Sequence, residues 1–340
     1  MTNQEKIKVL VVDDSMIFRE VIARGLSSDP AIKIVGKAHD ALDAIDLILK
    51  YSPDVMLCDI EMPKVNGIDF IRNLLPKYSL PVIVVSSISE AVFEAMKAGA
   101  VDFVVKPNLE SVGTVEDFLY DLIAEVKIAA VSNVSMKRHK FFSPKTVEKV
   151  KVSHDQIIAI GSSTGGTEAV YHILKNLPNS CPGIVIVQHI PPIFSKMFAE
   201  RLNEQTEFQC KEAQDGDLVD IGQVLIAPGD HHMRIVKVRD RYKVQIFKGD
   251  KVNGHCPSVD VLFESVANEA GNKAVGVILT GMGYDGAKGL LSMRRKGAHT
   301  IGQDENSSIV YGMPKVSFNI GAVEKQASLE NISQLIYSML

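Results

Sequence analysis

Five side chains in the first third of the chain sit where apolar runs end. Asp13 and Asp14 follow the run Ile7–Val12, Asp59 follows Val55–Cys58, Ser86 closes Pro81–Ser86, and Lys106 follows Phe103–Val105 and precedes Pro107. If the runs are parallel strands, their ends line one crevice, where open α/β sheets bind ligands. Three carboxylates, a hydroxyl and an ammonium in one crevice can run phosphoryl transfer. Hard carboxylate oxygens suit Mg²⁺, which keeps several waters and takes a phosphate oxygen. A carboxylate beside that ion can attack a phosphoryl group and become an aspartyl phosphate. A lysine and a hydroxyl can then hold the phosphate oxygens. Asp59, alone after its run, is the expected nucleophile, and Asp13 and Asp14 are the expected metal ligands.

A second constellation follows the same rule. Ser163 lies in GSSTGG after the run Gln156–Ile160, His189 in QHIPP after Gly183–Val187, and Asp285 in TGMGYDG after Ala274–Leu279. A serine on a glycine-flanked turn at a helix start has an exposed hydroxyl, and its alkoxide is favoured by the helix dipole. Ser163, His189 and Asp285 can therefore form a triad in which serine attacks an acyl carbon, histidine carries the proton and aspartate orients the imidazole. Ser162 is a rival nucleophile. His255 in NGHCPSVD and His231-His232 in APGDHHM sit in loops able to approach the same crevice. A competing motif overlaps this one: Gly281, Gly283 and Gly286 fit Gly-x-Gly-x-x-Gly, with Asp304 and Glu305 about 20 residues on, the spacing of a dinucleotide fingerprint. Against that nicotinamide reading, the motif opens the last βαβ unit, and Asp285 inside the loop would crowd a pyrophosphate.

The elements needed to hold these residues are legible as alternation. Strands at Ile7–Val12, Lys33–Ala38, Val55–Cys58, Pro81–Ser86 and Phe103–Val105 are separated by helices at Asp14–Leu26, Ala41–Tyr51, Gly67–Leu75 and Glu90–Ala98, and Val115–Val131 closes the series. Strands apolar throughout and separated by helices predict a parallel sheet covered on both faces, here a doubly wound, flavodoxin-like α/β domain. A second series predicts another largely parallel α/β domain. It runs from Gln156–Ile160 to a last strand at Thr300–Gln303, with an antiparallel hairpin, Met233–Val238 and Tyr242–Phe247, inserted. The expected domains are 1–128 and 155–340, joined by a charge-mixed linker, 129–154. With 340 residues, 46% hydrophobic and 23% charged, the chain is neither disordered nor a small disulfide scaffold. The balance of 41 acidic against 37 basic residues gives no electrostatic case for nucleic acid or an anionic membrane. Four separated cysteines, no apolar run of ~18–20 residues and no signal sequence point to a reduced, cytoplasmic protein.

The first half, through VLVVDDS, DVMLCDIEMPKVNGIDF, PVIVVSS and GAVDFVVKP over about residues 6–125, resembles the receiver domain of bacterial response regulators. The resemblance implies that Asp59 accepts a phosphoryl group from a histidine kinase, that Asp13, Asp14 and Asp59 bind Mg²⁺, and that Ser86 and Lys106 couple the phosphate to a conformational switch. The stretch between Ser86 and Glu90 is short for that family. The second half resembles the catalytic domain of the protein-glutamate methylesterase (CheB) family over about residues 156–325. The shared motifs are AIGSSTGGTEA, VQHIPPIFSKMFAERLN, KEAQDGD, IAPGDHHM, HCPSVDVLFESVA and AVGVILTGMGYDGAKGLLSMR. This implies the triad Ser163, His189 and Asp285, with Thr164 helping to position the histidine and the Met282 backbone N–H facing the oxyanion. No cofactor is implied for this half. Ser162 stands where alanine is common, and Tyr284 where asparagine is. The implied substrates are γ-glutamyl methyl esters on the cytoplasmic helices of chemoreceptors, with deamidation of receptor glutamines as a related activity. A monomer regulated by its receiver is expected. A non-catalytic regulator with a partner-binding second domain is the alternative.

Overall fold

The apolar runs Val55–Cys58, Val82–Ser86, Ile157–Ser162, Gly183–Gln188 and Ala274–Ile278 become strands buried along their whole length, and amphipathic stretches become the helices that cover the sheets. The computed structural model describes residues 5–87, 89–107, 112–134 and 152–340. The chain divides into two compact units, Met1–Ser135 and Met136–Leu340. In the first, β1 (Ile7–Val12), β2 (Ile32–Ala38), β3 (Val55–Cys58), β4 (Val82–Ser86) and β5 (Asp102–Val105) form one sheet in the order β2-β1-β3-β4-β5. All four pairings are parallel. The intervening helices are α1 (Met16–Ser27), α2 (Ala41–Tyr51), α3 (Gly67–Leu74), α4 (Ser89–Ala98) and α5 (Val112–Ala130). This is the doubly wound, flavodoxin-like order, and β1 and β3 flank its switch point.

Helix α1 starts later than its apolar spacing suggests. Ser15 is the N-cap, its Oγ accepting from the Phe18 amide, so Asp14 stays outside the helix with an exposed side chain. Helix α4 has ten residues. The expected linker, 129–154, lies for the most part outside the described residues; its first two, Ala129 and Ala130, end α5.

The second unit is built on a seven-stranded parallel sheet in the order β15-β14-β13-β6-β7-β10-β8. Its strands are β6 (Ile157–Ser162), β7 (Gly183–Gln188), β8 (Gln209–Glu212), β10 (Gln223–Ile226), β13 (Ala274–Ile278), β14 (His299–Gln303) and β15 (Lys325–Ala327). The chain leaves β6 toward β7 on one side and later returns to its other side with β13, so the crevice of the switch point opens at the end of β6. The expected hairpin forms as β11 (His232–Val238) and β12 (Arg241–Phe247), antiparallel, and β12 also pairs with a two-residue strand, β9 (Leu218–Val219). Helices α6 (Gly166–Lys175), α7 (Phe194–Gln205), α8 (Val259–Glu269) and α9 (Ala287–Arg295) connect these strands. Helix α8 packs against β11, β6 and β13, so hairpin and parallel sheet share one core that includes Phe263, Tyr242 and Met233. Full burial of an aromatic such as Phe263 contributes on the order of 2–3 kcal/mol.

Thr300–Gln303 is not the last strand, contrary to expectation. Three elements follow: α10 (Met313–Asn319), β15 and α11 (Leu329–Ser338). Helix α11 carries a helical period, with Leu329, Ile332 and Ile336 buried. Helix α10 and β15 are too short to show any period, seven and three residues. All four cysteines are free thiols. Among the described residues no helix is long and apolar enough to cross a membrane.

Candidate active site

Strand register brings the serine and the histidine together. Strands β6 and β7 pair in parallel up to Ser162 opposite Gln188, so Ser163 and His189 are the next facing positions. The His189 amide donates to the Ser162 carbonyl at 3.0 Å, which continues the ladder into the two turns. On the other side of β6, the Ser163 amide donates to the Thr280 carbonyl at 3.0 Å. The turn after β6 therefore holds Ser163 between the ends of β7 and β13.

Gln188 ties this arrangement from within. Its side chain is buried; Nε2 donates to the Ser163 carbonyl at 2.9 Å and to the His189 carbonyl at 3.0 Å, while Oε1 accepts from Ser162 Oγ at 2.6 Å. Ser162, the rival nucleophile from sequence, is fully buried with its hydroxyl engaged, whereas Ser163 is partly exposed. Gln188 carries no sequence signal of its own, because its role follows from register.

Asp285 comes from the loop between β13 and α9. Its Oδ2 lies 2.9 Å from His189 Nε2 and accepts the Val259 amide at 2.7 Å. Its Oδ1 accepts from Ser258 Oγ at 2.8 Å, Asn253 Nδ2 at 2.7 Å and the Asp260 amide at 3.3 Å. The carboxylate thus caps the N-terminus of α8 from another segment, where the helix dipole favours negative charge. Burial pushes this carboxyl up, but the hydrogen bonds from His189, Asn253 and Val259 outweigh it and hold it well below the usual carboxylate range. An ionised Asp285 fixes the tautomer: Nε2 carries the proton, and Nδ1 keeps its lone pair. His189 Nδ1 is buried with no protein partner among the described residues.

Of the remaining histidines, His255 reaches the site. Its ring is stacked on that of His189, centroids 3.7 Å apart and planes 8° from parallel. His232 supports the site from below, with Nδ1 facing the Ser258 amide at 3.2 Å and Nε2 facing the Asp250 carbonyl at 2.9 Å. His231 Nδ1 lies 3.2 Å from the Gly229 carbonyl. Thr164 is buried beside Ser163, and its carbonyl accepts from Thr280 Oγ1 at 3.0 Å. Met282 follows Gly281 with nearly half its surface exposed, and Tyr284 is similarly exposed.

The glycines of the dinucleotide-like motif have local uses. A Cβ at Gly281 would stand 2.6 Å from Ser163 Cβ and 2.5 Å from Met313 Sδ, so only glycine lets this loop pass the serine. Gly283 and Gly286 both take left-handed φ values near 87°, which glycine adopts without strain. Asp304, spaced as a ribose ligand would be, instead closes its own turn by accepting from the Ser307 amide at 2.9 Å and Ser307 Oγ at 2.6 Å.

In the first unit, Asp13, Asp14 and Asp59 each bring a carboxylate oxygen within 4.8 Å of the others. Lys106 Nζ lies 2.7 Å from Asp13 Oδ2 and 2.6 Å from Asp59 Oδ2, with its side chain almost fully buried. Burial pulls the Lys106 ammonium down, but the bonds to Asp13 and Asp59 outweigh it and its pKa is raised. Burial also pushes the Asp13 carboxyl up, with Asp59 adding to the effect. Three carboxylates facing one ammonium leave an excess of negative charge on hard oxygen donors, the chemistry a divalent cation fits. Ser86, buried at the end of β4, accepts the Lys106 amide on its carbonyl at 3.0 Å.

A flavodoxin-like receiver unit followed by a parallel α/β unit with serine, histidine and aspartate at its strand ends defines a two-domain regulated hydrolase. Residues 9–113 match the response regulator receiver domain and residues 158–336 match CheB methylesterase. The chain belongs to the CheB methylesterase family. It is 52% identical to the protein-glutamate methylesterase/protein-glutamine glutaminase 2 of Syntrophomonas wolfei, over 98% of both chains. It is 45% identical to the protein-glutamate methylesterase/protein-glutamine glutaminase of Salmonella typhi, over 97% of this chain and 95% of that one. The crystal structure of the Thermotoga maritima CheB methylesterase catalytic domain superposes with a TM-score of 0.53 at 38% identity, covering 54% of this chain and 98% of that domain.

Proposed function

We propose that this protein hydrolyses glutamate methyl esters, and deamidates glutamines, on the cytoplasmic part of chemoreceptors, under control of phosphorylation at Asp59. The observation that carries the hydrolase reading is the His189–Asp285 pair held beside Ser163 by the register of β6 and β7. Ser163 Oγ attacks the ester carbonyl while His189 Nδ1 takes its proton. The oxyanion faces the backbone N–H of Met282, and Thr164 helps to hold His189. His189 returns the proton to the departing methoxide, which leaves as methanol; from a glutamine, ammonia leaves instead. Water then attacks the acyl-serine, its proton passing to His189 and on to Ser163, and a glutamate carboxylate is released. Asp285 stays ionised throughout and supports the imidazolium.

In the receiver, residues 1–128, Asp59 takes a phosphoryl group from a histidine kinase, and Ser86 and Lys106 contact the phosphate and report its presence. Mg²⁺ held by Asp13, Asp14 and Asp59 would neutralise charge on the transferring group. Residues 129–154 connect this domain to the esterase, residues 155–340, and the protein works in the cytoplasm.

The test is methanol release from methylated receptor membranes by wild type and Ser163→Ala, each with and without acetyl phosphate and Mg²⁺. Release that needs Ser163 and rises with phosphodonor is expected. Release independent of Ser163 would remove the triad, and no release by wild type would leave a partner-binding regulator.

A further inference from the structure

The stacked histidine is delivered by a short turn built for the purpose. Asn253 and Gly254 both take left-handed φ values, 54° and 86°, and Val252 and His255 exchange backbone hydrogen bonds of 3.0 Å in both directions. Two successive positive φ values closed this way make a type I′ turn, which Asn-Gly favours more than other pairs. The Asn253 side chain hooks the turn to the site, its Nδ2 lying 2.7 Å from Asp285 Oδ1 and 2.7 Å from Asp260 Oδ2. The carboxylate that holds His189 by one edge therefore also anchors the turn whose His255 covers the ring face. Burial pushes the His255 pKa down to about 4; His189 and Lys251 push the same way and Asp285 opposes them, so the covering ring is neutral at neutral pH.

We propose that His255 is a positioning residue for the hydrolysis: its neutral ring fixes the plane of the His189 imidazole and stabilises the imidazolium that forms when His189 takes the Ser163 proton. The inference rests on the role given to His189 above. A cation is drawn to a neutral aromatic face, and a partly desolvated contact of this kind amounts to about tenfold in rate. The charge arises only after proton transfer has begun, so the effect belongs to kcat and leaves KM unchanged.

The test uses the full chain and two variants, His255→Ala, which removes the face, and His255→Phe, which restores a neutral face without ring nitrogens. Methanol release gives kcat and KM. Covalent labelling by a fluorophosphonate gives the rate of Ser163 activation without reference to the natural ester. His255→Ala should lower kcat and the labelling rate about tenfold at constant KM, and His255→Phe should recover both to within about threefold. Equal losses in both variants, a change confined to KM, or an unimpaired His255→Ala would overturn the proposal. Wild type that is labelled but releases no methanol would overturn the substrate and not this role, which the labelling ratio still decides. Wild type that is not labelled at all would overturn both.

Discussion

Asp285 caps a helix that it does not belong to: its Oδ2 accepts the amide of Val259, the first residue of α8, at 2.7 Å, while the same oxygen faces His189. The charge therefore holds a histidine and a helix end together. Asp285→Asn preserves the shape and removes the charge, and it also supplies an N–H where two donors already point. Its kcat for methanol release should fall by about 10³–10⁴-fold. Because the folded carboxyl lies below its unfolded value, its stabilisation is complete above the unfolded pKa and is lost as pH falls beneath it. Acid denaturation of wild type should therefore be steeper than that of Asp285→Asn, as followed by circular dichroism.

His255 has a linkage of the same sign in a higher pH window. Its pKa falls from 6.5 to about 4 on folding, so the unfolded chain takes the proton first. Stability should decline as pH drops from about 6.5 toward 4, and His255→Phe should flatten that part of the curve. Urea midpoints measured across this range check it; parallel curves for the two proteins would show that His255 is not buried as described.

Ser162→Ala removes one hydrogen bond to Gln188 and should cost about 1 kcal/mol while methanol release persists. Gln188→Ala frees the carbonyls of both Ser163 and His189 and should cost about 3 kcal/mol and most of the activity. Denaturant midpoints and kcat for the two variants separate these outcomes. An inactive Ser162→Ala would return Ser162 to candidacy as nucleophile.

Gly281→Ala should move the nucleophile without unfolding the domain, because the new methyl group would meet Ser163 Cβ and Met313 Sδ. A displacement approaching 1 Å is expected to lower kcat about 10²-fold. Thermal melting within a few degrees of wild type, together with slow fluorophosphonate labelling, is the expected pair of results.

In the receiver, Asp59→Ala should abolish activation by acetyl phosphate and leave basal hydrolysis intact. Asp13→Asn should weaken Mg²⁺ binding in calorimetric titration, because it removes one of three clustered carboxylates. Retained activation in Asp59→Ala would mean that the phosphoryl group goes elsewhere.

Strand ends were easy to read because buried parallel strands are apolar throughout, so a polar residue after such a run is conspicuous. That exposed Asp59, Ser163 and His189 as candidates and placed the crevice. Asp285 was harder, since it sits inside a glycine motif that also suits a dinucleotide; the close approach of Gly281 to Ser163 exists only in three dimensions. Gln188 was invisible as a tether because its function depends on pairing between two strands. His255 was visible only as a histidine in a loop, although the Asn253-Gly254 pair before it marked the turn that carries it. Helix α11 was readable from its own period and was missed beyond the last strand expected.

The placement of β6 between β7 and β13 has a consequence for how the molecule comes into being. Asp285 lies 96 residues beyond His189, and β13 adds to the sheet only after the hairpin and α8 have been made. Contacts that distant in sequence form slowly. A partly synthesised chain can register Ser163 against His189 yet has neither the carboxylate nor the glycine loop that complete the site. Hydrolytic competence therefore arrives late, once the C-terminal third has folded, and chains truncated before β13 should show no turnover.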